Sequence, residues 1–320
     1  MKPRVSFTGL LITAGLLACL ATLTSFAGQF WWGFELTTHF RAQYAIALGG
    51  FALLLLAPRQ WGWSALFGAF ALLNLAFLIP AFWEEAPATP AIAAGNSPTL
   101  RALLANVNAE NRDFQRIRAL IATADPDIVV LLEVTPWLLD RLRDLDQRYS
   151  HRVAEPRDDL FGIALFSRHP LAQGQIIRFD DKASPPAVVA TIIAAGRPFT
   201  LIGAHLWPPV STELAGGRNE QLRALAARVR QSQIPSLVLG DLNLSPWSPW
   251  FGRLLADSGL RDSRRGHGIQ PSWPVGWPFL WIPIDHALFS EGIRIRHREI
   301  GPAIGSDHYP VIVDFRVSGS

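Results

Sequence analysis

The chain has 320 residues, 49% of them hydrophobic and only 17% charged, with a formal net charge of +3 and a pI near 9.5. So small a surplus on a near-balanced chain is little argument for a nucleic-acid partner. The single cysteine, Cys19, excludes an internal disulfide framework and any multi-cysteine zinc site.

The apolar residues are concentrated at the start. Up to residue 83 the bases Lys2, Arg4, Arg41 and Arg59 face one acid, Glu35, and the stretches Phe7 to Ala27, Ala42 to Ala57 and Trp61 to Trp83 contain no charge. The first and third approach the ~20 residues that cross a ~30 Å hydrocarbon layer at about 1.5 Å per residue. The second reaches across only with Phe40, Gln60 and Trp61 in the interface. Residues 1–85 are therefore expected to form a membrane anchor of three transmembrane helices, about 7–27, 42–57 and 61–83. A buried helical hairpin is the blander alternative, and the density of apolar residues argues against it. Leu16-Leu17-Ala18-Cys19 looks like a lipoprotein cleavage box, but the apolar run continues through Leu20, Ala21, Leu23 and Phe26 as a spanning helix would. Lys2 and Arg4 before the first span, with Arg59 between the second and third, place everything after Glu84-Glu85 outside the cytoplasm. The expectation is an integral protein of a bacterial inner membrane with a periplasmic domain. Residues 86–98, rich in Ala and Pro and aperiodic, read as a linker to a domain over 99–320.

In that domain Leu100 to Val107 predicts a strand. Asn111 to Thr123 predicts a helix, with Phe114, Ile117, Leu120 and Ile121 on one face, and Ile128 to Leu132 predicts a strand buried on both faces. Trp137 to Leu145 predicts a second helix. Further strands are expected over 162–166, 188–193, 199–204, 236–239, 284–289 and 311–315, and further helices over 217–231 and 248–255. Interleaved strands and helices, with a hairpin around Gly196, predict an α/β domain built on mixed sheets.

The acids, amides and histidines are each expected at the C-terminal end of an apolar run, where side chains converge on one rim of a sheet. They are Asn106, Glu133, His205, Asp241 with Asn243, Asp285 in Ile284-Asp285-His286, and Asp307 with His308 in Ser306-Asp307-His308. Taken singly, an Asn or Asp after a strand is an ordinary turn or cap residue, and a lone His a satisfied structural one. Glu133 follows five apolar residues, however, and a carboxylate drawn into so buried a place needs a cation or donors to compensate. His286 alternates to the other strand face and is expected to be packing. Arg168 and Arg218 are candidate phosphate contacts, with surface solvation the equal alternative.

These motifs in this order, together with Ala164-Leu165-Phe166-Ser167-Arg168-His169-Pro170-Leu171, give residues 100–317 a clear resemblance to the deoxyribonuclease I-like endonuclease/exonuclease/phosphatase family, here of a membrane-anchored bacterial type. The resemblance implies a four-layer sandwich of two mixed sheets flanked by helices, and a hydrolase that attacks phosphodiester or phosphomonoester bonds with water. It implies Mg2+ or Mn2+ held by Glu133 with Asn106 and Asp307, and His308 as the base oriented by Asp285. Asp241 and Asn243 would then position water and phosphate, and His205 would donate to the phosphate. The aromatic stretch Pro271 to Trp281 is expected at the mouth of the site, either as a lip for lipid or bases or as a loop covering core. The partner implied is a phosphate-ester substrate, whether nucleic acid, lipid or small organophosphate. No protein partner can be inferred. The competing reading is a non-catalytic binding module on the same fold, whose mark would be loss of a ligand or of the base.

Overall fold

A computed structural model of the chain describes residues 6–83, 98–179 and 184–318. All of the expected linker but Pro98 lies outside the described residues. The N-terminal segment is a bundle of α1 (Phe7–Ser25), the short α2 (Trp32–Leu36), α3 (Arg41–Leu54) and α4 (Trp61–Leu78), which runs on as a 3-10 turn over Ile79–Phe82. The Ser6 hydroxyl caps α1 by accepting the Gly9 N–H at 3.0 Å. Phe7–Ser25 and Trp61–Phe82 are each long and apolar enough to cross a membrane, whereas α3 has 14 residues. The helices meet through Leu11, Cys19, Leu48, Leu55, Phe67 and Ala71. Contact is close enough that a Cβ on Gly15 would come within 2.2 Å of the Phe67 ring. Outward they present Leu10, Leu17, Leu20, Ile46, Leu53 and Leu72, all exposed. Arg41 ties the helices together at one end: its guanidinium donates to Ser25 Oγ (2.5 Å) and Asn74 Oδ1 (3.1 Å) and lies 4.2 Å from the centroid of the Phe77 ring.

The remaining residues supply β1 (Leu100–Asn106), β2 (Ile128–Leu132), β3 (His151–Glu155), β4 (Ile163–Ser167), β5 (Leu171–Ile177), β6 (Ala187–Ala194), β7 (Arg197–His205), β8 (Ser236–Asp241), β9 (Arg261–Asp262), β10 (Asp285–Phe289), β11 (Ile293–Ile300) and β12 (Val311–Val317). They form two six-stranded mixed sheets, ordered β11-β12-β1-β2-β4-β3 and β5-β6-β7-β8-β10-β9. At the centre of each lies one parallel pair, β1 with β2 and β7 with β8. Between the sheets Leu104, Val130, Leu165, Val188, Leu201, Leu239 and Phe315 form the main core. The outer face of the first sheet is covered by α5 (Phe114–Ala124) and α6 (Pro136–Arg141), and that of the second by α7 (Thr212–Gln231) and α8 (Pro249–Ser258). The architecture is the four-layer sandwich expected.

The β6–β7 hairpin turns at Ala195 and Gly196, both with positive φ (49° and 75°), as a two-residue turn between twisted strands requires. The expected 137–145 helix is shorter: α6 ends at Arg141 and a 3-10 turn follows over Arg143–Gln147. Helix α7 starts earlier than expected, at Thr212, where Ser211 Oγ accepts the Leu214 N–H at 3.1 Å.

Candidate active site

The parallel centres of the sheets bring the C-terminal ends of β1, β2, β7 and β8 to one rim. Asn106, the last residue of β1, donates from Nδ2 to Glu133 Oε1 (2.9 Å) and to Asp241 Oδ2 (3.3 Å), and so links the two sheets across the site. Glu133 follows β2 with φ at +61°, a conformation that L-residues seldom adopt. It is held there by the Ala109 N–H on Oε2 (3.1 Å) and by the Val134 N–H on the Gly162 carbonyl (3.0 Å). Gly162 must be glycine, because a Cβ would sit 1.9 Å from the Val134 oxygen.

On the other side His308 Nδ1 lies 2.8 Å from Asp285 Oδ2, and its Nε2 lies 3.7 Å from Asp241 Oδ2. Asp285 opens β10, where its N–H and that of Ile284 donate to Ser272 Oγ at 3.0 and 3.1 Å. The carbonyl of Asp285 accepts from Arg298 Nη2 at 3.2 Å. Asn243, with φ at 53°, donates its N–H to Asp241 Oδ1 (3.0 Å) and its side-chain amide to the Leu206 carbonyl (2.9 Å). His205 Nε2 stands 3.6 Å from Asp241 Oδ2, and its ring packs against Phe161. Asp307 accepts from Asn108 Nδ2 (2.8 Å) and from the Trp273 indole (3.1 Å), while Asn108 donates its own N–H to Asn106 Oδ1 (3.1 Å). All eight expected residues thus belong to one connected cluster, and ligand-type atoms of Asp241, Asp285 and His308 lie within 4.8 Å of one another.

The electrostatics are those of crowded buried acids. Burial and the neighbouring Asp285 push the Asp241 carboxyl up to about 7. Burial works to lower His308, but the carboxylates of Asp285 and Asp241 outweigh it and push the imidazole up to about 10. His205 moves down, because burial disfavours its charged form. Burial also acts on Asp307, yet the His308 charge and the bonds from Asn108 and Trp273 hold it below the usual carboxylate range.

The sequence profile of the Endonuclease/Exonuclease/phosphatase family matches residues 103–308, the whole span between the first strand and the catalytic histidine candidate. The chain belongs to the Endonuclease/Exonuclease/phosphatase family. Members of the family are hydrolases acting on phosphoester bonds and are typically dependent on a divalent metal. Solved structures agree on the fold. The human nocturnin catalytic domain superposes with a TM-score of 0.59 at 20% identity, over 69% of this chain and 94% of that one. An endonuclease/exonuclease/phosphatase from Bacteroides vulgatus gives 0.58 at 17%, over 69% and 100%. Sphingomyelinase C from Streptomyces griseocarneus gives 0.53 at 19%, over 68% and 99%. No curated protein matches the chain.

The two arginines expected as candidate phosphate contacts are engaged elsewhere. Arg218 is fully buried against Glu35 of α2 at 2.5 Å, and Arg168 pairs with Asp125 beyond the first sheet's opposite end. His286 behaves as packing: it is buried, with Nε2 2.8 Å from the Leu244 carbonyl and its ring on Phe251. Two residues of the site, Asn108 and Arg298, were not singled out by the sequence, whereas Ser272 and Trp273 lie in the aromatic stretch expected at its mouth. Asn108 carried a signal, since the Asn106-Val107-Asn108 alternation points both amides to one face. Arg298 acts through its bond to the Asp285 carbonyl, a pairing between segments that no local pattern records.

Proposed function

We propose that the chain is a divalent-metal-dependent phosphoesterase, held at a membrane by its N-terminal helices, that hydrolyses a phosphodiester or phosphomonoester with water activated by His308. The observation that carries this reading is the convergence of Asp241, Asp285 and His308 within 4.8 Å, continuous with Glu133 through Asn106.

The donor set fits a hard cation. It offers carboxylate and amide oxygens without a thiolate, Glu133 and Asp307 accept from neutral amide, indole and backbone donors, and Asp285 Oδ1 is buried without a hydrogen-bond partner among the described residues. Glu133, with Asn106 and Asp307 beside it, would hold Mg2+ or Mn2+. When bound, the ion would neutralise the phosphate, stabilise charge developing at phosphorus, and counter the carboxylates that otherwise keep His308 protonated.

His308 Nε2 takes a proton from the attacking water, while Asp285 accepts the Nδ1–H and fixes the tautomer. Asp241, facing the same Nε2, positions that water together with Asn243. His205, kept neutral by burial, donates to a phosphate oxygen. The water oxygen bonds to phosphorus, the ester P–O bond breaks, and the leaving alcohol takes up a proton. A binding module without chemistry would lack one of these groups, and every position is filled.

Full-length protein should release p-nitrophenol from bis-(p-nitrophenyl) phosphate with Mg2+ or Mn2+ and stop on chelation. His308→Ala should remove most of the turnover with little loss of metal binding, and Glu133→Ala should lose both. Near wild-type hydrolysis by either variant would refute the assignment. The helices and the placing of bases favour a periplasmic catalytic domain in a bacterial inner membrane, which a C-terminal reporter active only in the cytoplasm would overturn.

A further inference from the structure

The cavity that reaches His308 and Asn243 encloses about 420 Å³, and its two walls come from different parts of the chain. Trp32, Leu36 and His39 of the N-terminal segment form one side, and Val210, Ile282 and Ile284 of the catalytic domain form much of the other. Beyond the two histidines and Asn243 the lining is apolar or aromatic.

The N-terminal wall is built in. Glu35, between Trp32 and Leu36, is buried and accepts from Arg218 Nη2 at 2.5 Å and from Ser248 Oγ at 2.6 Å. The same guanidinium donates from Nη1 to the carbonyl of Asn243 at 3.2 Å. His39 Nδ1 lies 2.8 Å from Ser245 Oγ and also accepts the Ser245 N–H at 3.3 Å. The loop carrying Asn243 is therefore bonded directly to the helical wall. A buried ion pair costs desolvation wherever it occurs, and its use here is to fix the placement of one body on the other.

Around the opening the chain exposes aromatic and aliphatic side chains. Val210 is 67% exposed, Trp277 66% and Phe279 82%. Gln43 Nε2 donates to the Trp281 carbonyl at 2.8 Å, so this loop lies against the start of α3. That is the end of the bundle where Arg41 gathers the last turns of α1 and α4, the level at which tryptophans suit a membrane interface. Among the described residues the cavity lining holds no Lys or Arg to meet a soluble polyanion. A hydrocarbon chain would be removed from water along its length.

We infer that the substrate is an amphiphile: a phosphoester whose hydrocarbon chain enters the cavity between the helices and the catalytic domain while its phosphate lies against His308. The N-terminal segment is then part of the substrate site as well as a tether. The inference rests on the hydrolase reading above and deepens it.

The test uses full-length protein in detergent micelles with Mg2+ or Mn2+ and two p-nitrophenyl phosphodiesters, one carrying a methyl and one a hexadecyl group as the second ester. The hexadecyl ester should exceed the methyl ester in kcat/KM by about tenfold or more. Leu36→Gln and Val210→Asp should each cut that ratio by about fivefold. A ratio measured on one preparation is insensitive to partial loss of fold, and Val210 is exposed, so its substitution leaves the core intact. Partition of the long ester into micelles would raise the ratio equally in all three proteins. A ratio near one, a ratio unchanged in both variants, or faster cleavage of an oligodeoxynucleotide than of the hexadecyl ester would overturn the amphiphile while turnover of the methyl ester still upheld the hydrolase. No turnover of any ester would overturn both.

Discussion

Removing the Glu35 carboxylate is the most direct probe of how the two parts of the chain are joined. Glu35→Ala deletes two charge-assisted hydrogen bonds, from Arg218 at 2.5 Å and Ser248 at 2.6 Å, and leaves a guanidinium of 0% side-chain exposure without its counter-charge. Each lost bond to a charged group is worth about 1.5–3 kcal/mol, and stranding one partner of a buried pair costs about 3–5 kcal/mol in all. The unfolding midpoint of full-length protein in micelles, followed by the fluorescence of its 12 tryptophans, should fall by on the order of 10 °C. Glu35→Leu combined with Arg218→Met should recover most of that loss, because it removes the unpaired charge instead of exposing it. A shift in Glu35→Ala equivalent to less than about 1 kcal/mol, or a double variant worse than both singles together, would refute the reasoning.

Two further outcomes concern Asp285 and its strand neighbour His286. Asp285→Asn keeps the volume but replaces the carboxylate with a neutral amide whose NH2 can face His308 Nδ1 and select the wrong tautomer, so kcat on bis-(p-nitrophenyl) phosphate should fall on the order of a thousandfold; a drop below about tenfold would mean that Asp285 does not orient the base. His286 gives a pH signature in stability. Burial lowers it to about 4, below the ~6.5 of the unfolded chain, so its contribution is present above about pH 6.5 and is lost as pH falls toward 4. The loss is about 2 kcal/mol by pH 5. His286→Gln, which keeps a donor for the Leu244 carbonyl, should show a correspondingly flatter denaturation profile between pH 7 and 5, and an unchanged slope would refute the assignment.

The strands that the sequence revealed are the ones buried on both faces. Ile128–Leu132, Ile163–Ser167 and Ser236–Asp241 are buried throughout, so each reads as a continuous apolar run. The strands it hid lie at or beside sheet edges. β5 reads Leu-Ala-Gln-Gly-Gln-Ile-Ile and β11 reads Ile-Arg-Ile-Arg-His-Arg-Glu-Ile, both polar on an outward face that pairs with nothing beyond it. The early start of α7 was masked by Gly216-Gly217, which weaken the helical pattern although Ser211 caps the helix upstream. Asn106, Glu133, His205 and Asp241 were legible because each ends an apolar run, a purely local feature, whereas Asp285 opens β10 and Asp307 and His308 precede β12, so the expected placement at the end of a run fails for these three. The engagement of Arg218 was not legible, since its partner lies 183 positions away in a segment that composition assigns to a different environment.

The tie between Glu35 and Arg218 bears on how such a protein is handled. Severing the chain near residue 98 is the usual way to obtain a water-soluble enzyme, and it would yield a molecule with every hydrolytic group in place. That molecule would also present an orphaned cation beneath Asn243 and an open trough where Trp32 and Leu36 had closed one side. Its activity on small soluble esters would then be a poor guide to the intact protein's preferences.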